Sequence, residues 1–200
     1  MVKSYRSPVR DAQAHATRDR ILGSARQLFT ATGYGATSVS AIAIHAGVSD
    51  RLLYNVFGSK RDLLMALLDD FAPIPRPQHE TMLKEAEAAQ QVGLVLDFIT
   101  GYYDAAAELI RVAMAAADSE PDLAAFIERG ESLRRSAQRP VVEGWKRQRV
   151  LAQGVSVDEA ADLLWTMTSP EVYLKLKGAG WTSTKMRRLI TRELVLGLLT

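Results

Sequence analysis

The sequence predicts an all-α protein, and three observations carry that prediction. Apolar residues recur at spacings of three and four almost throughout, no stretch keeps the strict alternation of a half-buried strand, and helix caps punctuate the chain. The 200 residues are 48% hydrophobic and 24% charged, as in folded soluble proteins. The expected layout is a small basic helical head, a linking fourth helix and a larger helical body.

Residues 1–11, with Pro8 and scattered basic side chains, read as a flexible basic arm. A first helix is expected over about 12–32, where Ile21, Leu22, Ala25, Leu28 and Phe29 form one stripe and Gly33 can cap the end in a left-handed conformation. The second helix starts at Thr37-Ser38 and shows Val39, Ile42, Ala43 and Ala46 on one side. Gly47-Val48-Ser49 turns the chain, and Ser49 caps a third helix reaching Phe57. Ser59 with Asp62 fits a capping box for the fourth helix, which runs to Phe71 and stops before the prolines at 73, 75 and 77. Further helices are expected at roughly 79–90, 92–104, 105–118, 122–150, 157–176 and 184–199, the 157–176 segment breaking at Ser169-Pro170. The domains are thus 12–72 and 73–200 after the arm.

Composition excludes several chemistries. The chain has no cysteine, so disulfides, iron–sulfur clusters, thiolate zinc and a catalytic thiol are out. The three histidines, His15, His45 and His79, form no HExxH pattern, and no carboxylate pair or Ser/His/Asp set stands at a catalytic spacing. Neither an enzyme nor a bound metal or cofactor is expected. No apolar run approaches the ~20 residues of a membrane span, and the first residues lack a signal-peptide core, which leads to a cytoplasmic expectation. Net charge is +2, yet residues 1–62 carry nine Lys/Arg against four Asp while the remainder is net acidic. A basic head on an acidic body suggests a polyanion at one end.

Two short helices joined by a three-residue turn containing glycine have the shape of a helix-turn-helix. The outward face of the second could enter a DNA major groove. Residues 18–68 resemble the N-terminal domain of the tetracycline-repressor (TetR) family of transcription regulators. The shared marks are Ala25, Leu28-Phe29, Gly33-Tyr34, Thr37-Ser38, Ile42-Ala43, Ala46-Gly47-Val48-Ser49, Leu53-Tyr54, Phe57, Ser59-Lys60 and Leu63-Leu64. The stretch from Leu163 to Tyr173 is similar to the carboxyl end of many such regulators.

The resemblance implies that Thr37, Ser38, Ser49, Tyr54 and Lys60 lie on the DNA, with Thr37, Ser38 and Lys60 as phosphate ligands. Ser40, Leu52 and Val56 stand where the family often has basic, small hydroxyl and histidine residues, and Asp50 where a basic or neutral one is common. Arg51 and Asn55 are the side chains equipped to read base edges, while Leu52 could touch a thymine methyl or be buried. The resemblance also implies a ligand-responsive homodimeric repressor, released from a palindromic operator on double-stranded DNA by a small apolar effector. Phe98, Tyr102, Tyr103, Met114, Phe126, Trp145, Trp165 and Met167 could line the effector cavity or form ordinary core. Leu163, Leu164, Met167, Met186, Leu189, Ile190 and Leu194 are the expected dimer contacts, because these helices are apolar over more than one face. The rival readings are a helical small-molecule enzyme and a protein-binding adaptor.

Overall fold

The computed structural model describes residues 8–69 and 76–200, with side chains from 11–69 and 81–200. Most of the expected arm and the turn at 70–75, with Phe71, Pro73 and Pro75, lie outside the described residues. Ten helices follow in order among those described: α1 (Pro8–Thr32), α2 (Val39–Ala46), α3 (Asp50–Phe57), α4 (Lys60–Asp69), α5 (Arg76–Glu85), α6 (Ala88–Ala117), α7 (Pro121–Gln148), α8 (Val157–Met167), α9 (Pro170–Gly178) and α10 (Ser183–Leu198).

Three expectations change. The helix expected over 79–90 is instead α5, which starts at Arg76, takes in Pro77 in its first turn and ends at Glu85. Helix α1 begins at Pro8, so residues 8–11 are helical and not part of an arm. Proline fits the first turn of a helix, where its missing N–H costs nothing. The two segments expected at 92–104 and 105–118 are one helix, α6, because no proline or cap interrupts the chain between them. The break at Ser169-Pro170 is present: the Ser169 hydroxyl accepts from the Val172 amide and Pro170 takes the first helical position.

The chain divides into two units by the contacts its residues make: residues 1–70 with 108–124, and residues 71–107 with 125–200. In the first, α1 packs on α2 and α4, and α3 packs on both α2 and α4. Its core includes Ile21, Phe29, Ile42, Leu53, Leu63 and Leu64, all fully buried. In the second, α10 packs on α8 and α9 around Leu164, Met186 and Leu194. The chain end is held by an isolated antiparallel bridge between Leu151 and Leu199, the only β pairing among the described residues.

Candidate nucleic-acid interface

Hydrogen bonds made close along the chain set the angle between α2 and α3. Gly47 adopts φ +66°, a conformation that glycine takes without the Cβ clash other residues meet. Its N–H donates to the Ile44 carbonyl, and the Val48 N–H reaches back to Ala43 at 2.9 Å, closing α2. The Ser49 hydroxyl then accepts from the Leu52 amide and opens α3. Leu53 is fully buried beneath this corner, and a His45 Nδ1–Ser24 Oγ hydrogen bond of 3.0 Å ties α2 to α1. The result is a helix-turn-helix in which one side of α3 has no packing partner within the head.

That side carries most of the expected contacts. Arg51 and Asn55, four residues apart and so on one face, are exposed, and their side chains make no hydrogen bond with any described residue. Tyr54 is half exposed. Leu52, for which two environments were open, is 39% exposed and so is not core. Ser38 is exposed, with its hydroxyl accepting from the Ala41 amide as the cap of α2. The Ser40 hydroxyl donates to the Asp50 carboxylate, which joins the outer ends of α2 and α3 and occupies the acid that departs from the family pattern. Ile44, which the sequence reading did not single out, is the most exposed large apolar side chain here at 79%.

Two expected phosphate ligands serve the head itself. Thr37 is buried, and its hydroxyl donates to the Gly33 carbonyl at 2.7 Å beside the Thr32 hydroxyl at 2.9 Å. Its amide donates to the Tyr34 carbonyl, so neither donor is left for a phosphate. The Lys60 ammonium donates to the carbonyls of Tyr34 (2.9 Å) and Thr37 (3.1 Å) and lies 4.1 Å from the Tyr34 ring centroid. It therefore pins the α1–α2 loop. Burial and a hydrogen bond with Glu120 push the Tyr34 phenol up to about 12, and Arg61 pairs with Asp122 on the same side of this unit.

The aromatic set of the body is spread between core and half-buried positions. Trp145 is fully buried and its indole N–H donates to Gln91 Oε1 at 2.6 Å, so of the two environments left open for it the structure has it as core. Met114 belongs to the first unit, apart from the other seven. Tyr103 is buried between Tyr102 and Tyr173, its hydroxyl donating to the Thr168 carbonyl, and burial raises its pKa. Tyr103 and Met167 border a void of about 10 Å³, the size of one water, together with Leu96, Thr168 and Met186. Phe98, Tyr102, Phe126 and Trp165 are half-buried. Beside Thr168, Arg134 and Gln138 both donate to its hydroxyl, yet Gln138 Oε1 and Trp165 Nε1 are buried without a partner.

The dimer set also divides. Leu164, Met186, Ile190 and Leu194 are buried inside their own protomer, because the four-residue step from 186 to 194 makes one stripe that packs on α8 and α9. Their side chains are thus spent on the chain's own packing, whereas Leu163 is exposed and Met167 and Leu189 are half-buried. Leu196, absent from the expectation, is 71% exposed. No group of three or more metal-ligating side chains occurs among the described residues, and none of the helices described is long and apolar enough to cross a membrane.

A family model described as bacterial regulatory proteins, tetR family, matches residues 21–67, which span the capped turn and its supporting helices. The helix-turn-helix segment of the chain is thus similar to this family's N-terminal domain. A curated relative, the HTH-type transcriptional repressor NicS of Pseudomonas putida, is 30% identical over 103 residues, 51% of this chain. The match covers 49% of that relative, so the chain spans about half the length of the curated protein it resembles. Among solved structures, NalD, the secondary repressor of the MexAB-OprM multidrug efflux pump in Pseudomonas aeruginosa, is 18% identical with a TM-score of 0.74 over 94% of this chain and 98% of its own. FadR from Bacillus subtilis, solved with stearoyl-CoA, is 20% identical with a TM-score of 0.67 over 90% and 98%. The fold shared with these solved proteins thus extends through the body, beyond the sequence match.

Proposed function

We propose that the protein is a sequence-specific DNA-binding transcriptional regulator, a homodimeric repressor that leaves a palindromic operator when a small, largely apolar effector binds. The observation that carries this reading is the free face of α3, where Arg51 and Asn55 project from a capped, rigid turn. Arginine pairs with guanine and asparagine with adenine in the major groove, each pair worth about 1–3 kcal/mol of discrimination. Residues 12–72 act as the DNA-binding domain and 73–200 as the ligand-binding and dimerisation domain. The N-terminus of α2, capped by Ser38, offers free amides to a phosphate, and Tyr54 supports the strand beside it.

Repression is favoured by the names of the relatives NicS and NalD, and a bulky apolar effector by the stearoyl-CoA bound to FadR. The half-buried Phe98, Tyr102, Phe126, Trp165 and Met167 are the side chains available to widen around such a ligand. A ligand acts only through its preference for the widened conformation. Pairing uses Leu163, Met167, Leu189 and Leu196, and sets two heads at a spacing of roughly 34 Å for successive major grooves.

Selection of genomic DNA fragments on the full-length protein tests the reading. The expected result is one enriched inverted repeat, whose preferred bases change with Arg51→Ala and Asn55→Ala. Retention of fragments without any common sequence would refute it.

A further inference from the structure

The second unit holds a polar cluster whose hydrogen bonds do not close. Thr168 is its centre. The Thr168 hydroxyl proton goes to the Leu164 carbonyl, one turn back at 2.7 Å. Its lone pairs are left to accept from Arg134 Nη1 at 2.9 Å and from Gln138 Nε2 at 2.7 Å. This fixes the Gln138 amide, because the reversed amide would set its oxygen against a hydroxyl with no proton left to give. Gln138 is only 4% exposed, and its Oε1, on the side turned from that hydroxyl, meets no donor among the described residues. The Trp165 indole N–H, on the last turn of α8, is buried as well and meets no acceptor among them. The other members are fully used. Arg134 also donates to the Glu131 carboxylate and the Trp165 carbonyl, and the Tyr103 hydroxyl donates to the Thr168 carbonyl at 3.0 Å.

The two unpaired atoms ask for opposite partners. The amide oxygen needs a donor, which an anion lacks, and the indole N–H needs an acceptor, which an ammonium lacks. Neighbouring charges are already matched, Arg134 with Glu131 and Arg135 with Asp162, so a neutral group suits the place. We propose that the effector carries on its apolar frame a neutral head of the primary-amide kind, its N–H on Gln138 Oε1 and its carbonyl on Trp165 Nε1. The proposal rests on the ligand-responsive reading of this unit and adds the polar group that reading leaves open. Each buried atom that gains a partner recovers the cost of having been left unpaired. The conformation that admits the head is thereby favoured over the one that does not. Room comes from movement, because the void beside Thr168, about 10 Å³, holds one water at most. Trp165 is the member free to move: it is half-buried, with its ring against the guanidinium groups of Arg134 and Arg135.

The test is calorimetric titration of the full-length protein with matched pairs of compounds, octanamide against 2-nonanone and 2-naphthamide against 2-acetonaphthone. Each ketone keeps the carbonyl and the shape of its amide and replaces the nitrogen with a methyl group. The wild type should bind an amide about tenfold more tightly than its ketone. Gln138→Leu should erase that preference without lowering the melting temperature of the unliganded protein, since it removes an unpaired buried atom. Trp165→Phe should weaken amide and ketone together, about fivefold, and keep their ratio. Amides that bind no better than their ketones, or no binding by either amide, overturn the proposed head and leave the two atoms to water. Release of the protein from its selected operator by a ketone or another apolar compound would then still uphold the ligand-responsive reading. Failure of a broad apolar library to bind or to release DNA overturns both.

Discussion

The two units handle their polar groups in opposite ways. In the first, polar side chains close the backbone at its turns: Ser38 and Ser49 cap α2 and α3, and Thr37 and Lys60 hold the α1–α2 loop. In the second, they tie one helix to another. Asp104 accepts from Tyr173, Ser183 and Lys177, and Arg134 and Gln138 converge on Thr168. Among the described residues, the first arrangement leaves no buried side-chain donor unpaired and fixes a shape. The second leaves Gln138 Oε1 and Trp165 Nε1 without partners, which costs stability and invites rearrangement. A rigid head and a body that can repack are what the proposed ligand-operated switch requires.

Trp145→Ala tests the body most severely. The change opens a cavity at a fully buried site and frees Gln91, whose amide also donates to the Leu83 and Ala86 carbonyls. A loss of about 3–5 kcal/mol is expected in urea unfolding. Hydrogen exchange should show protection lost across residues 81–107 and kept in α2 and α3. Equal loss in both units would erase the contrast drawn above.

Lys60→Met tests the head. Leaving two loop carbonyls without their ammonium should cost about 1–2 kcal/mol and speed amide exchange between residues 33 and 37. Gln138→Leu should go the other way. It removes an unsatisfied buried oxygen, while Arg134 still donates to the Thr168 hydroxyl, so the variant should match the wild type or exceed it by up to about 1 kcal/mol. A clear loss of stability would mean that Gln138 is better satisfied than this structure has it.

The smallest effect concerns acid. Burial raises the Asp104 pKa, but the hydrogen bonds from Tyr173, Ser183 and Lys177 outweigh it and hold the carboxyl below its ordinary value of 3.8. Its contribution is therefore complete above 3.8 and is lost as the pH falls through the lower folded value. Asp104→Asn should flatten that acid limb in thermal melts. The carboxylate is 40% exposed, so solvent screening keeps the change small.

Features that depend on neighbours in the chain were legible in the sequence. Ser49 after Gly47, Ser59 before Asp62 and Ser169 before Pro170 announce helix starts, and the structure has them where the pattern places them. Features decided by distant packing were not. Nothing in the spacing of Met186, Ile190 and Leu194 tells whether their stripe faces the same chain or another. The ammonium of Lys60 finds carbonyls 23 and 26 residues away, a contact that no local pattern encodes. Pro8 did carry a readable signal, since proline opens helices as readily as it ends them; read as a breaker, it concealed the early turns of α1.

The inward stripe of α10 has a consequence for mixed populations. Because Met186, Ile190 and Leu194 are buried within one chain, the packing of α10 draws on no second copy. Under the proposed pairing, a protein with a ruined α3 would still mature and still join an intact partner. Each such mixed pair would hold a single working head and forfeit the second half-site. Head mutations should therefore be dominant when both forms are made together, whereas mutations in the α10 stripe should be recessive, because those chains never mature far enough to pair.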